Sequence, residues 1–365
     1  MSDYLIKGET LTDIANAIRG KTGSTSPIRT QDFATEIEGI QAGGGGGDID
    51  GLIDGTLTEV TSNATSIRQY AFYRATITTA NFPLATSIAS SAFSYCETLT
   101  TIDCPNATTI GSFTFQSCDS LVTANIPNAI RVPNDAFNGC DSLVTANFPN
   151  ATYVGSNAFS NCNKLTTANF PNATSIHSSY AFLNCYNLTT IDFSNVTSIG
   201  TSAFSSCNKL TTANFPLAIS TGSSAFRNCY QLQTANFPNA TNVPASSFAN
   251  CYKLTKVIIG TNKTTSPTLS NINAFDGCHH ITGTVNATYN PEGLKDGYIY
   301  VKADKVAEVR TATNWVTYAT QIMPWVATVE ELANIDGTTY DHACIGEGVD
   351  SVEYYYNGTS WEVFR

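Results

Sequence analysis

Apolar and polar positions along the chain return to one arrangement about every 22 residues. In the copy from Ala158 to Ile176, AFSNCNKLTTANFPNATSI, the apolar places are Phe159, Cys162, Leu165, Ala168, Phe170 and Ile176. Aligned on the first phenylalanine, ten copies appear: Phe72, Phe93, Phe115, Phe137, Phe159, Phe182, Phe204, Phe226, Phe248 and Phe275. Their spacings are 21 to 23 residues, with a last one of 27. Self-similarity at such a period predicts a solenoid, and irregular end copies are what capped ends require. Within each copy Ala168 and Phe170 lie two apart and share one strand face, while Thr167 and Asn169 point the other way. Pro171 has no N–H for a ladder and ends that short strand. The same proline recurs as Pro83, Pro105, Pro127, Pro149, Pro216 and Pro238, so each turn leaves its strand at one height.

The Leu165-x-x-Ala168-x-Phe170 core fits the first half of the leucine-rich signature L-x-x-L-x-L. Each apolar place then becomes a column of the core. Burying one such Phe or Leu contributes roughly 1.5–3 kcal/mol, so a turn is stable only within the stack. A cysteine follows the phenylalanine by three residues in nine of the ten copies, from Cys96 to Cys278, and Ala75 takes that place in the first. Eleven thiols allow a disulfide framework, a metal site or a core column. The strict period, the neighbouring leucines and the lack of any C-x-x-C favour a reduced column, since free Cys is a small, readily buried residue. Parallel Cβ vectors suit the disulfide dihedral poorly.

The unit A-F-x-x-C-x-x-L-T-T-A-N-F-P-N-A-T-x-I-G resembles the BspA-like class of bacterial leucine-rich repeats over about residues 67–288. That resemblance implies a repeat solenoid of leucine-rich type with one parallel β-sheet. It also implies a surface adhesin or interaction protein, with no ligand assigned. The second half of the general leucine-rich signature is not matched.

Before the repeats, ETLTDIANAIRG places Leu11, Ile14, Ala15 and Ile18 on one helical face, with Thr10 as N-cap and Gly20 as stop. TQDFATEIEGI repeats the pattern with Thr30 as cap and Phe33, Ile37 and Ile40 apolar. A small N-terminal helical hairpin is therefore expected. LTDIANAIRGKTG and ATEIEGI resemble a short module of tail-associated proteins from phages and prophages of Gram-positive bacteria. This implies that residues 1–42 attach the chain to a phage tail or baseplate protein. RGKTGST is not a phosphate loop, because that motif needs glycine where Ala15 stands. Gly43 to Gly47 form a flexible linker of roughly 12 Å r.m.s. reach. Residues 48–288 are expected to hold the solenoid with its N-terminal cap. Residues 289–327 form an α+β C-terminal cap, and 328–365 a small module whose hairpin turns at Asn357-Gly358 and pairs Tyr354 with Trp361.

Charge narrows the partners. With 18 basic and 29 acidic residues the net charge is −11, so nucleic acid is not an expected partner. Apolar runs fall far short of the roughly 18 residues that a membrane span needs, and no membrane insertion is expected. The start MSDYLIKGETLTD lacks the charged-then-apolar order of a signal peptide. No H-E-x-x-H or G-x-S-x-G occurs among the motifs of catalysis, so no enzyme, catalytic residue, metal or cofactor is expected. Adjacent His279 and His280 read as a solvated turn.

Candidate binding residues come from comparing copies. The two slots between Cys and Leu vary from acidic Glu97, Asp119 and Asp141 to Lys164, Tyr186, Lys209, Tyr230, Tyr252 and Lys253. Tyrosine is enriched at recognition surfaces, while drift among exposed positions gives a similar pattern. An acidic surface polymer such as a teichoic acid suits the lysines. The outward ladder of Thr145, Asn147, Thr167, Asn169, Thr190, Asp192, Thr212 and Asn214 is the alternative site, a hydroxyl and amide lattice for a sugar. Its simpler role is to solvate an open sheet face. The expected function is a phage-tail or prophage receptor-binding protein, located in the virion tail and made in the bacterial cytoplasm, that binds a host cell-surface glycan or protein. A bacterial cell-surface adhesin or interaction scaffold is the alternative.

Overall fold

The computed structural model describes residues 40–42, 58–176, 179–281, 297–337, 339–340, 342–346, 351–356 and 359–363. The expected helical hairpin over residues 5–39 and the glycine linker lie outside the described residues. Two compact units divide the chain, one of residues 1–151 and 157–165, the other of residues 152–156 and 166–365.

In the first unit Glu59–Ser62, Thr79–Asn81, Thr101–Asp103 and Thr123–Asn125 pair in parallel, each residue against its counterpart one turn on, as Thr79 against Thr101. A second ladder joins Ser66–Ile67, Ser87–Ile88 and Thr109–Ile110. One parallel sheet was the expectation, and the structure has two ladders. The cause lies past the proline: the Ser-Ile pair resumes alternation, with Ser87 half-buried and Ile88 buried, and finds the same pair in the next turn. Ile40, expected on a helix, lies in the strand Ile40–Ala42, which pairs antiparallel with Glu59–Ser62 and covers the outer edge of the first ladder.

The second unit repeats the scheme. Thr167–Asn169 pairs with Thr190–Asp192, and Thr212–Asn214 with Thr234–Phe237 and then Lys256–Ile259. Tyr153–Val154, Ser175–Ile176 and Ser198–Ile199 form a second ladder here too. Past the repeats the long-strand sheet continues in parallel through Tyr298–Lys302, Ile322–Val326 and His342–Ile345. It turns antiparallel at Val352–Tyr356 and Trp361–Val363. The helices among these strands are short, Val306–Thr311 and Val329–Leu332, with a 3-10 segment Trp315–Gln321. Trp315 and Tyr318 pack on Phe275, the last phenylalanine of its column, at centroid distances of 6.5 and 5.3 Å. Buried Lys256 stands where other turns carry threonine. Its ammonium donates to the Ser351 carbonyl at 2.7 Å and lies 3.7 Å from Glu353. In the terminal hairpin Trp361 faces Tyr356, not Tyr354. The register is shifted by two residues from that expectation, Tyr354 facing Val363, which keeps each side chain on its face.

Stacking fixes the core. In the first unit Phe72, Phe93, Phe115, Phe137 and Phe159 lie face over face at centroid spacings of 4.9, 5.4, 5.0 and 5.2 Å. In the second, Phe182, Phe204, Phe226, Phe248 and Phe275 do the same at 5.2, 5.4, 5.7 and 5.5 Å. The cysteine beside each ring is more than small and apolar. Its S–H donates to the carbonyl of the phenylalanine one turn earlier: Cys96 to Phe72, Cys118 to Phe93, Cys140 to Phe115, and likewise Cys207 to Phe182 and Cys229 to Phe204. The S···O distances of these bonds run from 2.8 Å at Cys96 to 3.3 Å at Cys207.

Burial pushes up the thiols of Cys118, Cys140 and Cys207, and those of Cys229, Cys278 and the separate Cys104 to about 12. In the unfolded chain a thiol ionises near about 8.5. The folded state therefore holds protons that the unfolded state loses, and stability is complete below about pH 8.5 and declines as pH rises toward the folded values. Each thiol so held should remove up to about 1.4 kcal/mol per pH unit in that window. Urea unfolding between pH 7 and 9.5, below the bulk of tyrosine ionisation, should show a midpoint that is flat and then falls. A midpoint unchanged to pH 9.5 would contradict buried protonated thiols.

Candidate functional site

The corner that follows each cysteine carries the variable slots. In the first unit Lys164 is exposed, and beside it Asn163 donates its amide to Asp141 Oδ1 at 2.9 Å. In the second, Tyr186, Lys209 and Lys253 are exposed, while Tyr230 and Tyr252 are half-buried. The tyrosines are not equivalent. Tyr230 stacks on Tyr252 at 4.9 Å and Tyr252 on His279 at 4.6 Å, both pairs within 9° of parallel. Ring faces in this stack are covered by one another, so the edges and hydroxyls are what solvent meets. Tyr186 is 41% exposed, and Asn208 holds the equivalent place in the turn between it and Tyr230. His279, expected in a solvated turn, is instead the end of the aromatic stack, because a flat ring at this place lies over the flat ring of the previous turn. Burial, then His280, lowers its pKa below the usual histidine range.

The alternative site on the sheet face is largely engaged with itself. Asn125 donates to Asp103 Oδ1 at 2.6 Å and buried Asn236 to Asn214 Oδ1 at 2.8 Å, so amides one turn apart bond along the column. Thr167 faces Thr190 and Asn169 faces Asp192 in register. Asp192 also accepts from the Ser194 hydroxyl at 3.2 Å. Thr145, Asn147, Thr190, Asp192 and Asn214 are exposed, and Thr167, Asn169 and Thr212 are half-buried.

A further polar column escaped the sequence reading. An asparagine two places after the strand's last apolar residue reaches back one turn, following proline at Asn106, Asn128 and Asn239 and Ser194 at Asn195: Asn106 donates to the Pro83 carbonyl at 2.7 Å, Asn128 to Pro105 at 2.8 Å, Asn195 to Pro171 at 2.6 Å and Asn239 to Pro216 at 2.7 Å. The recurring Pro-Asn pair is its signal in the sequence. Among the described residues no group of His, Cys, Asp and Glu side chains is placed to hold a metal ion. No helix among them is long and apolar enough to cross a membrane.

Comparison with known proteins follows from this geometry. Among solved structures, a leucine-rich repeat protein from Bacteroides ovatus is 20% identical, with 53% of this chain and 68% of that one covered and a TM-score of 0.29. A leucine rich cell surface protein from Faecalibacterium prausnitzii is 23% identical over 74% of this chain and 85% of that one, with a TM-score of 0.31. The leucine rich repeat protein of T. pallidum is 18% identical over 66% and 90%, with a TM-score of 0.31. No curated protein matches the chain. A family model described as the BspA type leucine rich repeat region matches in six copies over residues 65–189 and 130–255, which together span more than half of the 365 residues. The chain belongs to the BspA-type leucine-rich repeat family.

Proposed function

We propose that the chain is a receptor-binding protein of a phage or prophage tail, which presents a leucine-rich repeat surface to a host cell-surface glycan or protein. The observation that carries the binding part is the contrast between columns. Phe, Cys and Asn places are held constant by contacts from one turn to the next, whereas the slots after each cysteine differ and put Lys164, Tyr186, Lys209 and Lys253 at the surface. Exposed lysines and a tyrosine suit an acidic polymer such as a teichoic acid, and Tyr230 and Tyr252 add edges and hydroxyls rather than ring faces. The tail assignment is supported by the likeness of LTDIANAIRGKTG and ATEIEGI to tail-associated modules. On this reading residues 1–42 attach to a tail or baseplate protein, 43–47 are a glycine linker, 48–288 bind, and 289–365 close the far end. Its location is then the virion tail. Family membership also favours a second reading, in which the same rim serves a bacterial cell-surface adhesin and only the carrier differs.

Co-sedimentation of the full chain with Gram-positive cell walls, with and without their teichoic acid, tests the binding part. The combined variant Tyr186→Ala, Lys209→Glu, Lys253→Glu touches exposed positions and should keep stability within about 0.5 kcal/mol per site. It should weaken sedimentation with intact walls more than tenfold, since each anchor contributes more than about 1 kcal/mol. Undiminished sedimentation by the folded variant would place binding elsewhere. For the carrier, deletion of residues 1–39 should spare wall binding and abolish co-purification with tail proteins. Retained co-purification would place tail attachment outside residues 1–39, and a full chain that does not co-purify with tail proteins would favour the adhesin reading.

A further inference from the structure

In nine of the ten corners two backbone places, two residues before and two after the first phenylalanine, have positive φ, and in the last corner Gly277 alone does. Most hold serine, asparagine, aspartate or glycine, as at Ser91, Asp135, Gly139 and Asn161, with φ between 52° and 77° wherever the chain is regular. These residues tolerate the left-handed region, and bulky ones do not. The first two corners break this habit together: Tyr70 and Arg74 have φ 60° and Tyr95 has φ 62°. Phe113 and Tyr180 are single exceptions in later corners. The backbone there has no freedom to relax, because the stack dictates its path. Arg74 N–H donates to the Ser94 carbonyl at 2.9 Å and Tyr95 N–H to Gln116 at 2.7 Å, the same one-turn bond that Ser117 makes to Asn138. Strain concentrated in neighbouring bulky residues points to a use for their side chains.

Those side chains meet. The Arg74 guanidinium lies over Tyr73 at 5.3 Å and over Tyr95 at 5.6 Å. Tyr70 meets Tyr73 at 5.8 Å and 88°, and Tyr73 meets Tyr95 at 5.7 Å and 76°. Arg74 is exposed, Tyr95 is 36% exposed, and Tyr70 and Tyr73 are half-buried. Edge-to-face rings cover less of one another than the parallel Tyr230–Tyr252–His279 stack does, and part of their surface stays exposed, as at Tyr95. A guanidinium held against two rings keeps its planar N–H fork in a defined orientation, which suits a carboxylate.

We propose that Tyr70, Tyr73, Arg74 and Tyr95 form a binding surface for an acidic saccharide, a sugar ring bearing a carboxylate. Arg74 takes the carboxylate, the tyrosine rings take the C–H face of the sugar, and their hydroxyls bond its hydroxyl groups. This surface uses none of the residues of the tyrosine and lysine rim described above, and its failure would leave that reading standing.

The test titrates the full chain with trigalacturonic acid, with its methyl ester and with triglutamate, and follows thermal unfolding of two variants, Arg74→Asn and Tyr95→Asn. Asparagine stands at this place in four of the other corners, at Asn161, Asn184, Asn228 and Asn250, so both variants are suited to fold. Wild type should bind the acid sugar at least tenfold better than the ester or the peptide. Each variant should lose that binding at least tenfold and unfold at a higher temperature than wild type, since a strained residue gives way to one that fits. Absence of trigalacturonate binding by wild type would overturn the proposal. So would equal binding of the ester, or equal binding of triglutamate, which would assign the surface to an acidic protein. Variants that bind as wild type and melt lower would show that the cluster only stabilises the fold.

Discussion

Within each unit a repeat turn lies on another turn of nearly the same sequence, at the roughly 4.8 Å spacing of paired strands. Each side chain must therefore be compatible with a copy of itself. Phenylalanine meets this by stacking face to face, as Phe182 on Phe204 at 5.2 Å with parallel planes. Cysteine, asparagine and threonine meet it by donating to a carbonyl one turn back, as Cys140 does to Phe115, Asn106 to Pro83 and Thr100 to Thr78. Charge cannot meet it, since like charges one strand apart repel. The column Glu97, Asp119 and Asp141 shows the cost: burial and then the flanking Asp141 and Glu97 hold the Asp119 carboxyl above its usual range. Next in that column comes Asn163, which donates to Asp141. A content of only 13% charged residues follows from this constraint.

The same constraint explains what could be read in advance. The period follows from aligning the copies, and the inward phenylalanines and leucines, the buried cysteines and the strand that stops at proline follow from residue type and spacing within each of them. The second ladder was not legible, because a two-residue Ser-Ile strand carries no periodic signal of its own and exists only by pairing with its twin. The roles of the thiol and of the Pro-Asn amide were hidden for the same reason: each bond joins residues more than 20 apart, and only the stack brings them together. Corner backbone was legible in principle, from the recurrence of Ser, Asn and Gly at fixed offsets such as Asn157 and Asn161. At the candidate rim the sequence placed Tyr230 and Tyr252 one turn apart but not their ring planes, which turn out to consume each other's faces. The shifted Tyr356–Trp361 pair shows that an Asn-Gly pair alone does not determine a hairpin register.

Function in such a stack is confined to places released from self-compatibility. The buried columns are joined by their own contacts, and amides of the outward ladder bond along it, as Asn125 to Asp103 and Asn236 to Asn214. What is left is the rim, where successive turns are free to differ. Binding chemistry should therefore be sought where a copy departs from its neighbours: lysine and tyrosine in the slots after cysteine, or tyrosine and arginine at corners otherwise given to serine and asparagine. A departure that costs stability carries more weight than one that does not, because drift alone has no reason to keep it.

The central claim is that reduced cysteines join successive turns by donating S–H to phenylalanine carbonyls. Raman spectroscopy of the native protein in the S–H stretching region tests it directly. The account predicts an S–H band at the lowered frequency of a donating thiol, of an intensity that accounts for most of the eleven cysteines, and no S–S band. A band at the frequency of a non-bonded thiol, or its replacement by an S–S band, would contradict the account.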